Sequence, residues 1–482
     1  MFLPLPGDDE SISAPSLPQV RKARRKMFGR LPKCAVPGFT PICVDSNDPQ
    51  TVGAGFRKRL LRVVPSTDPI LLHEFKTFVR NWLIQNMKPL YPLGFEEWLE
   101  GTHYNDNRKQ QLRDCYKTLK MRPTRKECRR IDTFVKAESY GELKHARMIN
   151  SRTDKFKCWS GPYFKAIEEE LYKIPYFVKN MTIEERKTKV NSLRCGGSRY
   201  YATDFTAFES HFNADVMDAC ELQLYRHCFP TDDGKFICDV IAGQNSMRTR
   251  TGIRATVNAR RMSGDMCTSL GNGFTNLMLA LFHAHKSNGV LNGLVEGDDG
   301  LFATNFNMEV DFYKRLGFTI KMIEVADPSE ASFCGLIVSK SDQLIREPRR
   351  VFQTFGWTAT MPNCGDKVGH ELLRAKALSL KFETPDCPIV SALADHAIDV
   401  THGYEPRYEA DYYHKPPPKF AYSRSSPTTE TRLLFYRQYG ISPTTQMRVE
   451  QLIMQGQFHS IQHYVNPTYH QSWFAARYIH VT

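Results

Sequence analysis

Gly293-Leu294-Val295-Glu296-Gly297-Asp298-Asp299-Gly300-Leu301-Phe302-Ala303 places two short apolar runs on either side of a Gly-Asp-Asp-Gly turn. That pattern reads as a β-hairpin with two carboxylates at its tip, Asp298 and Asp299. Adjacent carboxylates repel and are costly to bury, so a pair held between buried strands calls for solvent or a divalent cation. Hard oxygen donors select Mg²⁺, with Mn²⁺ as its substitute.

The same tripeptide at Gly7-Asp8-Asp9 sits in a Pro-rich opening without flanking apolar runs and reads as solvated loop. Context distinguishes the second copy. Upstream of it lie Ser263-Gly264-Asp265-Met266-Cys267-Thr268-Ser269-Leu270-Gly271-Asn272 and, earlier, Asp204-Phe205-Thr206-Ala207-Phe208-Glu209.

A chain of 482 residues is too long for one core and suggests two or three subdomains. The 65 Lys and Arg against 52 Asp and Glu, a net charge of +13, suit a polyanion such as nucleic acid, although a membrane-surface protein has a similar balance. Aromatic content of 12% argues against disorder. Thirteen cysteines with no C-x-x-C pair read as reduced thiols of a cytosolic protein, without disulfides or a zinc site. No apolar run approaches the roughly 18 residues of a membrane span, so membrane residence would need a partner.

Residues 1–19 are Pro-rich and read as extended chain, and the basic run at 21–26 reads as a solvated face or an RNA contact. Asp68-Pro69 caps a helix with Phe75, Phe78, Val79, Trp82 and Leu83 on one face, and a polar helix follows over 107–120. From Phe134 to Arg152, basic side chains punctuate extended segments, a layout that suits a wall for phosphates. Residues 199–205 read as a strand carrying Asp204 at its end, followed by one helix through Val216, Cys220 and Leu224. Residues 246–261 read as a basic β-ribbon around Gly252, with Arg248 and Arg250 as RNA-binding candidates. Ser263-Gly264 leads into a helix with an apolar stripe from Phe274 to Phe282, and His283 and His285 near its end read as solvated or capping groups. A helix over 308–316 closes at Gly317, and the next strand, 318–323, sets Lys321 opposite Phe318, Ile320 and Met322. A further strand is expected from Ala331 to Val338, and helices are expected to be capped at Ser426-Pro427 and Ser442-Pro443. The tail, 457–482, is too aromatic for a free terminus and is expected to pack against something.

A strand ending in Asp204, a Ser-Gly loop entering a helix, the Asp-Asp hairpin and a strand bearing Lys321, in that order, resemble motifs A to D of viral RNA-dependent RNA polymerases. Arg261-Met262-Ser263-Gly264-Asp265-Met266 with Leu270-Gly271-Asn272, Phe95-Glu96-Glu97-Trp98-Leu99-Glu100 and the segment 431–446 look, more narrowly, like the polymerases of the tombusvirus family and tombus-like positive-strand viruses. The resemblance spans residues 95–450. It implies an α+β right hand: residues 1–199 as N-terminal region and fingers, 200–232 as palm with motif A, 233–262 as a fingers insertion, 263–350 as palm with motifs B to E, and 351–482 as helical thumb and tail. The palm is expected to hold an antiparallel sheet.

The activity so implied is RNA-templated RNA synthesis by two-metal nucleotidyl transfer, replicating a positive-strand genome with a primer-independent start. Asp204, Asp298 and Asp299 would be the metal ligands and catalytic acids, and Lys321 the general acid for pyrophosphate departure. Ser263, Thr268 and Asn272 would line the ribose pocket, and Gly264 would let the backbone approach the template. Glu209 stands where the pattern usually has Asp. Lys136, Arg147 and Arg152 match finger motifs that guide the triphosphate, with Lys144 as a further candidate, and Phe333-Cys334-Gly335 resembles motif E. Implied partners are template RNA, nucleoside triphosphates and a viral or host membrane-anchored replication factor, at replication complexes in the host cytoplasm. Rival readings are a reverse transcriptase, disfavoured by Asn272 and Glu209, a metal-dependent nuclease, and an RNA-binding structural protein resting only on the basic run.

Overall fold

The hairpin forms as its sequence dictates. Leu291–Glu296 and Asp299–Thr304 pair antiparallel, with Asp299 across from Glu296 and only Gly297 and Asp298 between the strands. Gly297 has φ of 60°, the left-handed backbone that a two-residue hairpin turn demands. This computed structural model describes residues 11–13, 28–119, 121–136, 138–140, 145–194, 199–408, 416–417, 420–466 and 478–480.

The fold is α+β. Arg199–Phe205 lies against the second hairpin strand, and Ile320–Val325 pairs on its far side, giving a four-stranded antiparallel sheet. Alternate residues supply two cores, as the pleat requires. Tyr201, Phe205, Val295 and Phe302 pack with helices Pro69–Asn86 and Thr268–Lys286, whereas Tyr200, Leu294, Leu301 and Ala303 meet Val178, Val190, Phe333 and Leu344. The Pro69–Asn86 helix starts as expected: Asp68 accepts from the N–H groups of Ile70 and Leu71, and Pro69 occupies the first turn.

A second sheet contains the basic ribbon. Gln244–Arg248 and Arg254–Asn258 form a hairpin, and Arg130–Val135 pairs parallel to its first strand and antiparallel to Met148–Arg152. Helices Pro348–Phe355, Asp366–Glu383, Val390–Val400, Thr429–Tyr439 and Pro443–Met454 build a separate core. That core also takes in Leu31, Cys34, Val36 and Phe39, and Gly29–Arg30 pairs with Trp357–Thr358, so the start of the chain folds onto its last third. Phe458 and Ile461 of the tail are buried there, and Tyr478–His480 pairs with Ile42–Val44. Tyr469, Trp473, Phe474, the basic run at 21–26 and Lys144 lie outside the described residues.

Several expectations are corrected. The helix after Asp204 is two, Ala214–Ala219 and Glu221–Cys228, because Cys220 leaves helical backbone with ψ of −88°. Ala331 to Val338 is not one strand: Cys334 and Gly335 both take positive φ in a tight turn that Phe333 and Leu336 bridge, and the strand proper is Ile337–Val338, paired with Leu344–Ile345. Thr428, not Ser426, caps the Thr429–Tyr439 helix. His283 is neither solvated nor a cap but buried, stacked on Phe312 at 4.1 Å, and burial pushes its ring down to about 4.

Two buried ion pairs anchor the loop before the Thr268–Lys286 helix. Arg152 pairs with Asp265 at 2.9 Å, and Arg261 pairs with Glu221, with the Arg261 guanidinium also 4.3 Å over the Phe212 ring. Breaking such a pair strands a charge without water, so Glu221→Leu should cost about 3–5 kcal/mol in urea unfolding. Adding Arg261→Met should recover part of that loss. Equal destabilisation by the single and double variants would show that the pairing itself matters little.

Candidate active site

The sheet brings Asp204, Asp298 and Asp299 to one end. Asp204 is the penultimate residue of its strand, and Gly300 pairs with Thr203, so continuing the register by one residue sets Asp299 across from Asp204. On the other flank, Lys321 pairs directly with Asp204. Residues opposite one another in an antiparallel pair share a face of the sheet, so the exposed Lys321 stands beside that acid.

Electrostatics report the crowding. Burial pushes the Asp298 carboxyl up, and Asp204 and Glu209 push it the same way while Arg147 opposes them. Asp299 rises to about 7, through burial first and then the charges of Asp298, Asp204 and Glu296. Glu296 itself is answered by Arg186 at 2.7 Å. Among the described residues, no three acid, His or Cys side chains sit close enough together to grip a metal ion as they stand. The donor set nonetheless fits a hard cation, because three mutually repelling carboxylates are the ligands such an ion uses.

The Ser-Gly loop is stitched to the strand Met148–Arg152. Ser263 Oγ donates to the Met148 carbonyl at 2.6 Å, and Asn150 Nδ2 donates to Ser263 Oγ at 3.2 Å. A Cβ on Gly264 would come within 2.8 Å of the Asn150 carbonyl, so the glycine lets the loop pack closely on that strand. Thr268 Oγ1 donates to the carbonyls of Met262 and Asp265, tying the start of its helix to the loop before it. One turn on, Asn272 Oδ1 is buried with no partner among the described residues. A further turn along the same face, Asn276 Nδ2 donates to the carbonyls of Gly297, at 3.2 Å, and Asp299, at 3.1 Å, locking the helix to the acidic turn. Sequence reading passed over Asn276 because its i+4 spacing from Asn272 was the only signal.

The basic candidates divide. Lys136 and Arg147 are about half exposed and share one carboxylate, Glu138, at 2.9 and 3.4 Å. Arg152 is different. Its side chain is 1% exposed and bonded to Asp265 and the Cys128 carbonyl, so in this structure it braces the loop rather than facing solvent. Arg248 bonds Asp132 at 2.6 Å at the ribbon's surface, and Arg250 is exposed beside it. Glu209 follows Ala207, a residue with φ of 54°, and accepts from Arg59 at 2.8 Å. Nothing in the sequence links residues 59 and 209.

Strand-borne Asp204, the Asp-Asp hairpin and the stitched Ser-Gly loop stand within residues 100–355, which match the family model for viral RNA-dependent RNA polymerase, and the chain belongs to that family. Its relatives are viral enzymes. The RNA-directed RNA polymerase of groundnut rosette virus (strain MC1) is 24% identical over 392 residues, covering 72% of this chain and 45% of that protein. That of greasy grouper nervous necrosis virus is 26% identical over 210 residues, covering 41% and 21%. That of red clover necrotic mosaic virus is 23% identical over 520 residues, covering 94% and 65%. The chain thus spans less than half the length of the first two.

The raised Asp299 carboxyl makes stability depend on pH. Between its ordinary 3.8 and about 7, the folded protein holds a proton that the unfolded chain has lost. This group therefore favours the fold below about pH 4, and its contribution is lost as pH rises to about 7. In metal-free buffer, wild-type stability should fall across that window more steeply than that of Asp299→Asn, and Mg²⁺ should offset the fall at pH 8 for wild type only. Parallel curves for the two proteins would contradict the crowding.

Proposed function

We propose that the chain copies an RNA template into RNA by nucleotidyl transfer, replicating the genome of a positive-strand virus. The observation that carries this reading is the meeting of Asp204 with Asp298 and Asp299 at one sheet end, inside a chain of the polymerase family. In this reading the molecule is a right hand. The four-stranded sheet is the palm, the ribbon sheet and its neighbouring helices are the fingers, and the helices after residue 348 are the thumb.

Asp204, Asp298 and Asp299 would hold two divalent ions, Mg²⁺ or Mn²⁺, which when bound activate the 3′-hydroxyl and neutralise the leaving pyrophosphate. The chain's own residues do the rest. Asn276 fixes the turn that carries two of these acids. Lys136 and Arg147 exchange their shared Glu138 for the triphosphate, a stronger anion. Asn272 offers its unpartnered Oδ1 to the 2′-hydroxyl, and Glu209 and Ser263 complete the sugar pocket. A site whose polar groups go unpaired with the deoxy analogue discriminates strongly against it. Lys321, beside Asp204, protonates the departing pyrophosphate. Arg248 and Arg250 contact template phosphates. Synthesis starts without a primer. No helix among the described residues is long and apolar enough to cross a membrane, and a membrane-anchored viral or host partner brings the enzyme to cytoplasmic replication complexes.

Purified protein with Mg²⁺ or Mn²⁺ should incorporate ribonucleotides on an RNA template. Asp204→Ala or Asp298→Asn should lower the rate by at least about 10³-fold. Near-normal incorporation by either variant would remove the central assignment. Template binding should weaken as salt rises, and Arg250→Ala should reduce the log–log salt slope by about 1, with a smaller change for Arg248→Ala because Asp132 already answers that charge. Salt-independent binding would contradict the phosphate contacts.

A further inference from the structure

The Pro49–Arg59 helix lies before residues 100–355, the range of the family model, yet its last residue reaches Glu209. We propose that Arg59 is a positioning residue for sugar discrimination, holding the Glu209 carboxylate where it meets the ribose of the incoming nucleotide. The proposal rests on the polymerase reading above.

The contact is specific. Arg59 Nη1 donates to Glu209 Oε1 at 2.8 Å, with the two side chains 20% and 14% exposed. Arg59 Nε is buried without a partner among the described residues, so Glu209 is the carboxylate that offsets the burial of this guanidinium. A Glu carboxylate swings on one more rotatable bond than an Asp carboxylate. A hydroxyl is told from a hydrogen atom only by a group held at hydrogen-bond distance, so the longer side chain needs an anchor. Arg59 supplies it.

Both ends of the contact are rigid. Asp48 caps the Arg59 helix by accepting from the N–H groups of Gln50 and Thr51, and Val52, Phe56 and Leu60 are buried with Ile131, Met148, Met247 and Met262. Gly55 lets the helix lie close to the strand entry that carries Arg147, since a Cβ there would stand 3.0 Å from the Ala146 carbonyl. On the other side, Glu209 sits in the 3-10 turn Phe208–His211, whose Phe208 ring is buried and stacked 4.2 Å from Phe205, next in sequence to Asp204. The helix therefore ties the triphosphate arginine to the sugar-side glutamate.

The test compares templated incorporation of a ribonucleotide with that of its 2′-deoxy counterpart in wild type, Arg59→Lys, Arg59→Ala, Glu209→Ala and the double variant Arg59→Ala/Glu209→Ala, with melting temperatures alongside. The ribo-to-deoxy ratio of kcat/KM should fall about 10- to 100-fold in Arg59→Ala, the cost of a misplaced contact group. Arg59→Lys, which keeps the charge, should lie between it and wild type. The double variant should show no lower ratio than Glu209→Ala alone, because Arg59 acts only through Glu209. An unchanged ratio in Arg59→Ala, with a lowered melting temperature and both rates reduced alike, would show a merely structural bridge and overturn the proposal. Losses that multiply in the double variant would overturn it too, by making Arg59 a direct substrate contact. Should Arg59→Ala fail to fold, an unchanged ratio in Arg59→Lys overturns it. Wild type that incorporates neither nucleotide defeats the polymerase reading itself, and this proposal with it, an outcome distinct from any Arg59 effect in an active enzyme.

Discussion

Like-charged carboxylates gathered at the end of a sheet oppose the folding that gathers them, and the register of Arg199–Phe205 against the Asp-Asp hairpin imposes that gathering. Shifting the strand by one residue would turn Tyr201 and Phe205 out of one core and Tyr200 out of the other. Apolar burial therefore fixes where the acids stand, and the surroundings accommodate the repulsion. Asn276 ties down the turn, Arg186 neutralises Glu296, and the carboxyl of Asp299 is raised to about 7.

Cations behind the site have a different task from cations around it. Arg152 and Glu221 hold Asp265 and Arg261, the charged residues flanking Ser263, in buried pairs, and the Arg261 guanidinium sits so near Gly271 that an added Cβ would lie 2.3 Å from its Nη1. A buried charge pair fixes geometry more reliably than it adds stability, since each partner strands the other if displaced. Lys136 and Arg147, by contrast, keep solvent contact and share a single acid, so they remain exchangeable. A line of Lys and Arg residues in the sequence does not reveal which of them will be walled in. Arg152 matched a phosphate-binding pattern and became a brace.

Much of the fold was legible because local chemistry and tertiary structure agree there. The Asp68-Pro69 start, the Gly297 turn, the ribbon around Gly252 and the stop at Gly317 each have a backbone demand that few residues meet. Misread segments lacked such a demand or had it overridden. Ala331 to Val338 looks apolar enough for a strand, yet Cys334 and Gly335 turn the backbone so that Phe333 packs under the sheet. His283 lies on a helical stripe, and only the arrival of Phe306 and Phe312 from later in the chain makes it a core residue.

By itself the sequence determined the candidate site residues and their order: Asp204, the Ser263-Gly264 loop, Asp298 and Asp299, and Lys321, each marked by a turn or a strand end readable within a few residues. Tertiary structure alone decided the partners: Arg59 on Glu209, Glu138 between Lys136 and Arg147, Arg152 against Asp265, and residues 31–39 among the C-terminal helices. The physical reason is range. Backbone conformation and hydrophobic period are set by near neighbours, whereas a side-chain hydrogen bond between residues 150 positions apart depends on how separate cores dock.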